Sequence, residues 1–339
     1  MLRKLFKFHG GVKPQTNKTG STTAPIAQVP LPDRLVIPLH QAVGGHPRPL
    51  VQAGDHVFKG QRIGSADGSL SSAVHASTSG IVRDLAEAVM PHTSGLTTLS
   101  VIIEPDGEDR WGTLEKIDFR RAPPDEVRDF LRDAGVVGLG GAVFPSYAKL
   151  KPGKEGKLKT LVINGAECEP FITCDDMLMR ERAGDMLTGI LAMRYLLQAE
   201  EVLIGIEDNK PEAVAAVQAA ISASGETGVE AIAIPTRYPA GGAKQLIRVL
   251  TGIEVPHGRR STDFGVQCFN VGTAYSIFEA LEYGHPLVSR IVTVAGNVDT
   301  PRNYEVLIGT PMDHLVRLAA PRPDTDRYIM GGPMMGVRM

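Results

Sequence analysis

From Pro123 onward, short β-branched or apolar runs alternate with amphipathic helical stretches, and that alternation restricts the fold most tightly. Pro124-Asp-Glu-Val-Arg-Asp-Phe-Leu-Arg-Asp-Ala134 has a proline and acids in its first turn and Gly135 just beyond its end, which predicts a helix. Leu161-Val-Ile-Asn164 predicts a strand, Asp175 to Gln198 one long helix, Glu201–Ile206 a strand, Pro211–Ser222 a helix and Glu230–Ile234 a strand. Strands separated by helices require a parallel, Rossmann-like sheet. Before residue 110 the texture differs. Arg34-Leu-Val-Ile-Pro-Leu, Pro49 to Gly64, Val74 to Val82 and Leu99 to Glu104 are short runs broken by Gly-Asp and Lys-Gly turns, the pattern of strands and hairpins. Residues 10–32, rich in Pro, Thr, Gly and Gln, read as an extended lead-in.

Functional interest centres on Gly138-Leu-Gly140-Gly141-Ala-Val-Phe144-Pro-Ser-Tyr-Ala-Lys149 and the run Leu161-Val-Ile-Asn164-Gly-Ala-Glu167-Cys-Glu169-Pro170 that follows it. Glycines admit a bulky anion close to the backbone, because no Cβ stands in the way. An apolar strand that ends in an amide and two carboxylates suits a buried strand whose tip opens into a crevice. The glycine loop precedes its strand, whereas in Gly-x-Gly-x-x-Gly folds it follows one, so an ordinary dinucleotide fold is disfavoured.

Charge and length bound the rest. Lys and Arg total 36 against 38 Asp and Glu, a net −2 that argues against a nucleic-acid surface. No stretch approaches the ~18 unbroken apolar residues of a membrane span. Met1-Leu-Arg-Lys-Leu-Phe-Lys-Phe is basic and amphipathic without a signal peptide's apolar run; it suits either an anionic membrane face or a frayed terminus. The three cysteines, Cys168, Cys174 and Cys268, are too few for a disulfide framework and suit a reducing compartment, the cytoplasm. Their spacing, and that of the histidines, points to no metal in this chain.

The glycine loop with Lys149, the Asn164-Gly-Ala-Glu-Cys-Glu-Pro run, Arg237-Tyr238-Pro-Ala-Gly-Gly-Ala-Lys, Thr251-Gly-Ile-Glu-Val-Pro-His-Gly and Gly265-Val-Gln-Cys-Phe-Asn270-Val-Gly-Thr273 stand in the order found in the RnfC subunit of the Rnf/Rsx ion-translocating electron-transport complex. The chain resembles that family over almost its whole length, and through it the NADH-binding flavoprotein subunit of complex I. The resemblance implies a multidomain α/β protein: a lead-in over 1–33, a barrel-sandwich β domain over 34–110, a Rossmann-like flavin domain over 120–275 and a β-grasp, SLBB-like domain over 285–339. Gly-Asp-x-Val-x-x-Gly-Gln before His-Ala-x-x-Ser-Gly-x-Val also resembles biotin and lipoyl carriers, but no lysine lies between Ile63 and Val74 to be modified, so a structural module is expected.

By the same resemblance, Gly138, Gly140 and Gly141 would shape the loop against FMN, and Lys149 would offset its phosphate. Asn164 and Glu167 would meet ribityl or ring atoms, and Asn270 with Thr273 the phosphate side. Phe144, Glu169 and Tyr238 would face NADH. The residues keep plainer alternatives: Lys149 in a solvated basic loop with Lys151, Lys154, Lys157 and Lys159, Asn270 as a helix cap, Phe144 in the core, and one of the two glutamates at the surface. Val143 stands where the family loop has glycine, and Gly242 and Ala243 where the complex I relative has two glutamates. The family's two [4Fe–4S] clusters have no ligands in this sequence, so the chain is expected to be an N-terminal portion of a peripheral subunit on the cytoplasmic side of the bacterial inner membrane. Its partners would be other subunits and, distally, ferredoxin. A scaffold that docks membrane partners and binds no redox cofactor is the competing expectation.

Overall fold

The computed structural model describes residues 3–90, 92, 94–152 and 158–339. Lys154 and Lys157 of the basic turn, and the first two residues of the amphipathic start, lie outside the described residues.

The lead-in is not free. Arg3 pairs with Glu201 and Glu230 at 2.6 and 3.0 Å, and the Phe6 N–H donates to Val249 O. The basic start therefore lies against its own chain, through Arg3 and Phe6, where a membrane face or fraying was expected. Further on, the lead-in supplies β1 (Ala27–Gln28), which runs parallel to a strand near residue 304.

Next come β2 (Leu35–Pro38), β3 (Arg48–Pro49), β4 (His56–Val57), β5 (Arg62–Ser65), β6 (Val74–His75), β7 (Gly80–Val89) and β8 (Thr97–Pro105). They form two sheets, ordered β2-β8-β7-β4 and β3-β5-β6, around Leu35, Ile37, Val57, Ile63, Val74, Val82, Val101 and Ile103. Alternation along β2 buries Leu35 and Ile37 on one face. The hairpin that bears a carrier's lysine is here a docking element. The Tyr147 hydroxyl donates to Ser69 O at 2.8 Å and accepts from Ser71 N, and Ala73 N donates to Arg132 O.

The central module holds α1 (Pro124–Asp133), α2 (Ser146–Lys149), β9 (Leu158–Gly165), α3 (Cys174–Glu181), α4 (Ala183–Leu197), β10 (Ala199–Glu207), α5 (Pro211–Ser224), β11 (Val229–Ile234), α6 (Ala243–Thr251), β12 (Val266–Asn270) and α7 (Val271–Phe278). The sheet order is β11-β10-β9-β12 and every pair is parallel, as the alternation predicts. Both faces are covered: α1, α3, α4, α5 and α7 pack on one side around Leu161, Ile163, Ile204 and Ile206, and α6 on the other around Val162 and Leu203. That two-sided burial explains the unbroken apolar run of β9. The long helix expected over 175–198 is instead two. The chain turns at Arg182, whose guanidinium is drawn to the Tyr275 hydroxyl and the Glu305 carboxylate, both at 2.7 Å.

The last module is β13 (Ser289–Val294), β14 (Arg302–Leu307), α8 (Met312–Leu318), β15 (Ile329–Met330) and β16 (Val337–Arg338), with β1 completing a β1-β14-β13 sheet. Buried Asn303 ties it to the rest, donating to Ser21 O and Thr173 Oγ1 at 2.8 Å each.

His75 sits where the first module meets α1, with Nδ1 buried and unpartnered. Burial, with Arg62 nearby, depresses its pKa to about 3. Because the folded pKa lies below the unfolded one, this group's contribution is complete above pH ~6.5 and is lost as pH falls towards 3, at up to ~1.4 kcal/mol per unit. Urea midpoints at pH 7 and pH 5 should therefore differ more for the wild-type protein than for His75→Gln.

Candidate functional site

The chain lays down β9, β10 and β11 in one direction, then returns to place β12 on the other side of β9. Neighbouring strand ends whose connections depart in opposite directions leave a crevice between them, the usual ligand position in such sheets. Asn164 and Asn270 pair in register at those two tips.

The glycine loop lies over this point. Gly138 N–H donates to Phe144 O at 2.9 Å, closing residues 138–144 into a turn, and Leu139 N–H donates to Thr273 Oγ1 at 3.0 Å, pinning it to the first turn of α7. A Cβ on Gly140 would stand 3.1 Å from the Asn270 Cβ, so any side chain there would push the loop and β12 apart by a few tenths of an ångström. A Cβ on Gly141 would meet nothing within 4 Å, so the mouth of the crevice is open there. Val143 adopts φ 46°, a left-handed conformation unfavourable for a β-branched residue, where a glycine would sit without strain.

The strand-tip residues prove to be braces. Asn164 donates to Gly241 O at 2.8 Å and accepts from Ala166 N, fixing the 239–242 loop as one wall. Asn270 caps α7 through Gly272 N at 2.8 Å, the plainer expectation for it, and also donates to Asp175 at 2.6 Å. Thr273 Oγ1 accepts from Leu139, which leaves its own hydroxyl proton free to donate. Lys149 is not part of a solvated loop. Its ammonium is largely buried, lies 4.2 Å from the Phe269 ring centroid and donates to Cys268 O at 2.6 Å; burial lowers its pKa.

The two glutamates part company. Glu167, at φ 49°, turns its carboxylate onto the start of α3, accepting from Asp175 N and Asp176 N at 2.7 and 3.2 Å. It is a helix cap, where the resemblance implied a contact to ribityl or ring atoms. Burial pushes it up to about 7 against the pull of Lys18, and burial also raises Asp175 and Cys174. Ligand-type atoms of Glu167, Cys174 and Asp175 lie within 4.8 Å of one another, but both carboxylates are engaged by the bonds just described. Glu169 accepts from Met334 N at 2.9 Å, while its Oε1 is buried without a partner. Tyr238 is held between Val12 and a cis Pro239; burial, and then the Glu169 charge, raises its pKa. Phe144 is half-buried and belongs to none of the apolar clusters among the described residues. At the wall where two glutamates are absent, Gly242 caps α6, and the first turn of α6 carries no acid.

Two lysines that no sequence pattern singled out complete the site. Lys18 and Lys210 are buried, and their ammoniums grip backbone carbonyls of the segment after β9.

Comparison with known proteins identifies the modules. Residues 131–279 match the family model for the Nuo51 FMN-binding domain, 6–108 the RnfC barrel sandwich hybrid domain and 291–338 the SLBB domain. The RnfC subunit of the ion-translocating oxidoreductase complex of Pseudomonas aeruginosa PAO1 is 48% identical over 338 residues, covering 99% of this chain and 43% of its own length. The protein of the same name from Yersinia pseudotuberculosis YPIII is 46% identical, covering 98% and 48%. The chain thus spans about half the length of these relatives. Among solved structures, an NAD+-reducing [NiFe]-hydrogenase in the H2-reduced state aligns with a TM-score of 0.54 at 22% identity, over 62% of this chain and 42% of that one, a likeness of fold.

Proposed function

The chain belongs to the RnfC family of ion-translocating oxidoreductase complexes, and from that membership we propose that its central module binds FMN and oxidises NADH. The observation that carries this is the glycine loop, seated by Leu139 and Thr273 over the Asn164–Asn270 strand tips. The residues fit a flavin phosphate. Backbone comes close at Gly140, open space remains at Gly141, the Thr273 hydroxyl has a proton to donate, and Lys149 keeps two N–H groups beyond the one given to Cys268. FMN would supply the chemistry that takes two electrons from a nicotinamide as hydride and gives them up singly. The protein's share is to bind and orient. Gly138, Gly140 and Gly141 shape the bed, Asn164 and Asn270 tie its walls to the strand tips, and Glu169, Tyr238 and Phe144 line the nucleotide side.

Electrons would pass to [4Fe–4S] clusters carried outside these residues, then to membrane subunits and ferredoxin. No helix among the described residues is long and apolar enough to cross a membrane; the place proposed for the chain, a peripheral subunit on the cytoplasmic face, follows from the family resemblance. The scaffold reading draws on one observation: Glu169, the expected NADH contact, is already bonded to Met334. Anaerobic titration separates the two. Protein reconstituted with FMN should be yellow and bleach on adding NADH; protein that stays colourless after reconstitution would be a scaffold.

A further inference from the structure

Burying an ammonium costs several kcal/mol unless every donor is satisfied. Lys18, 7% exposed, meets that condition with three backbone carbonyls: Glu167 O at 2.8 Å, Glu169 O at 2.9 Å and Ile172 O. Lys210, with no exposed surface, takes Ala166 O at 2.7 Å. The carbonyls of 166, 167, 169 and 172 are thus drawn onto two positive charges behind the segment that leaves the tip of β9. Thr16 O accepts from Phe171 N, so the lead-in holds the segment a second time.

The segment would not keep this shape unaided. Glu167 at φ 49° and Phe171 at φ 66° are left-handed non-glycine residues, each costing roughly 1–2 kcal/mol. The same segment carries Glu169 and Cys168, whose sulfur accepts from Gly241 N and packs the segment against the 239–242 loop. Its conformation therefore fixes one side of the crevice.

We propose that Lys18 is a positioning residue for the flavin: its hydrogen bonds set the 167–172 segment against the ring, and its charge favours electrons added to that ring. This rests on the flavin reading above. Burial lowers the pKa of Lys18 and the Glu167 carboxylate lies beside it, yet positive charge held behind a low-dielectric wall still favours negative charge in front of it, which raises the flavin's reduction potential. A lysine that only fastened the lead-in would affect stability alone.

Two variants separate position from charge. Lys18→Met removes both; Lys18→Gln keeps a donor and removes the charge. We expect Lys18→Met to weaken FMN binding at least tenfold by fluorescence quenching, and both variants to shift the flavin midpoint potential to more negative values. Should Lys18→Met fail to fold, the potential of Lys18→Gln decides. Lowered melting of the flavin-free protein with unchanged FMN affinity and potential would overturn the proposal. Wild-type protein that takes up no flavin is a separate result, visible before any variant is made, and sinks the flavin reading itself.

Discussion

Gly140→Val should weaken FMN binding by about 100-fold or more while leaving the protein folded. The first carbon of any side chain there lies 3.1 Å from the Asn270 Cβ, and valine adds two methyls that must find room between loop and strand tip. Asn270 cannot step aside, because its amide is held by Gly272 and Asp175. The loop must lift instead, breaking the Leu139–Thr273 bond that seats it and filling the space where backbone meets ligand. Overpacking of this kind costs ~1–3 kcal/mol, and the misplaced loop also loses its own contacts, so a fall in affinity of about 100-fold or more is expected. Gly140 is exposed, so the flavin-free melting temperature should move by no more than a few degrees. Affinity equal to wild type would show that the loop is only a turn.

Lys210→Met should produce the largest loss of stability. Lys210 and Glu207 form an ion pair at 3.3 Å with side chains 0% and 1% exposed, and Lys210 also holds Ala166 O and Asn209 Oδ1. Removing one partner leaves a buried carboxylate uncompensated, which costs about 3–5 kcal/mol. In a chain of this size that is a fall in Tm of roughly 10 °C. Adding Glu207→Leu removes the stranded charge and should recover part of the loss, measured by calorimetry on the flavin-free proteins. The recovery should be incomplete, because Glu207 also accepts from Arg237 N. A single variant that melts with the wild type would mean water or a neighbour compensates the charge.

What the sequence displayed and what it hid follow one division. Local signals were legible. The proline and acids at 124–126 and the glycine at 135 bound α1, and the β-branched runs at 161, 201 and 230 are β9, β10 and β11. The glycine loop was legible by composition, although only the return of β12 beside β9 explains how a loop preceding its strand can lie over the strand's end. Features that depend on one polar side chain meeting a distant partner were hidden. Lys18 sits in a polar lead-in with no period to mark it, and its partners lie about 150 residues on. Arg182 breaks a helix that periodicity would continue, because Tyr275 and Glu305 draw its guanidinium away. Gln28 and Ala27 join a sheet whose other strands begin at Ser289. Glu167 carried the right residue type at the right place, but which way a carboxylate turns at a strand end depends on the helix start beside it, and α3 captured it.

The most direct test is where the flavin goes. Crystals of this chain grown with saturating FMN should show its phosphate near Thr273 and Lys149 and its ring between the 138–144 loop and the tips of β9 and β12. Flavin density at the far end of the adjoining cavity of about 240 Å³, among Trp111, His285 and Arg290 and away from Leu139 and Gly272 which line its near end, or no flavin density at saturation, would contradict the account.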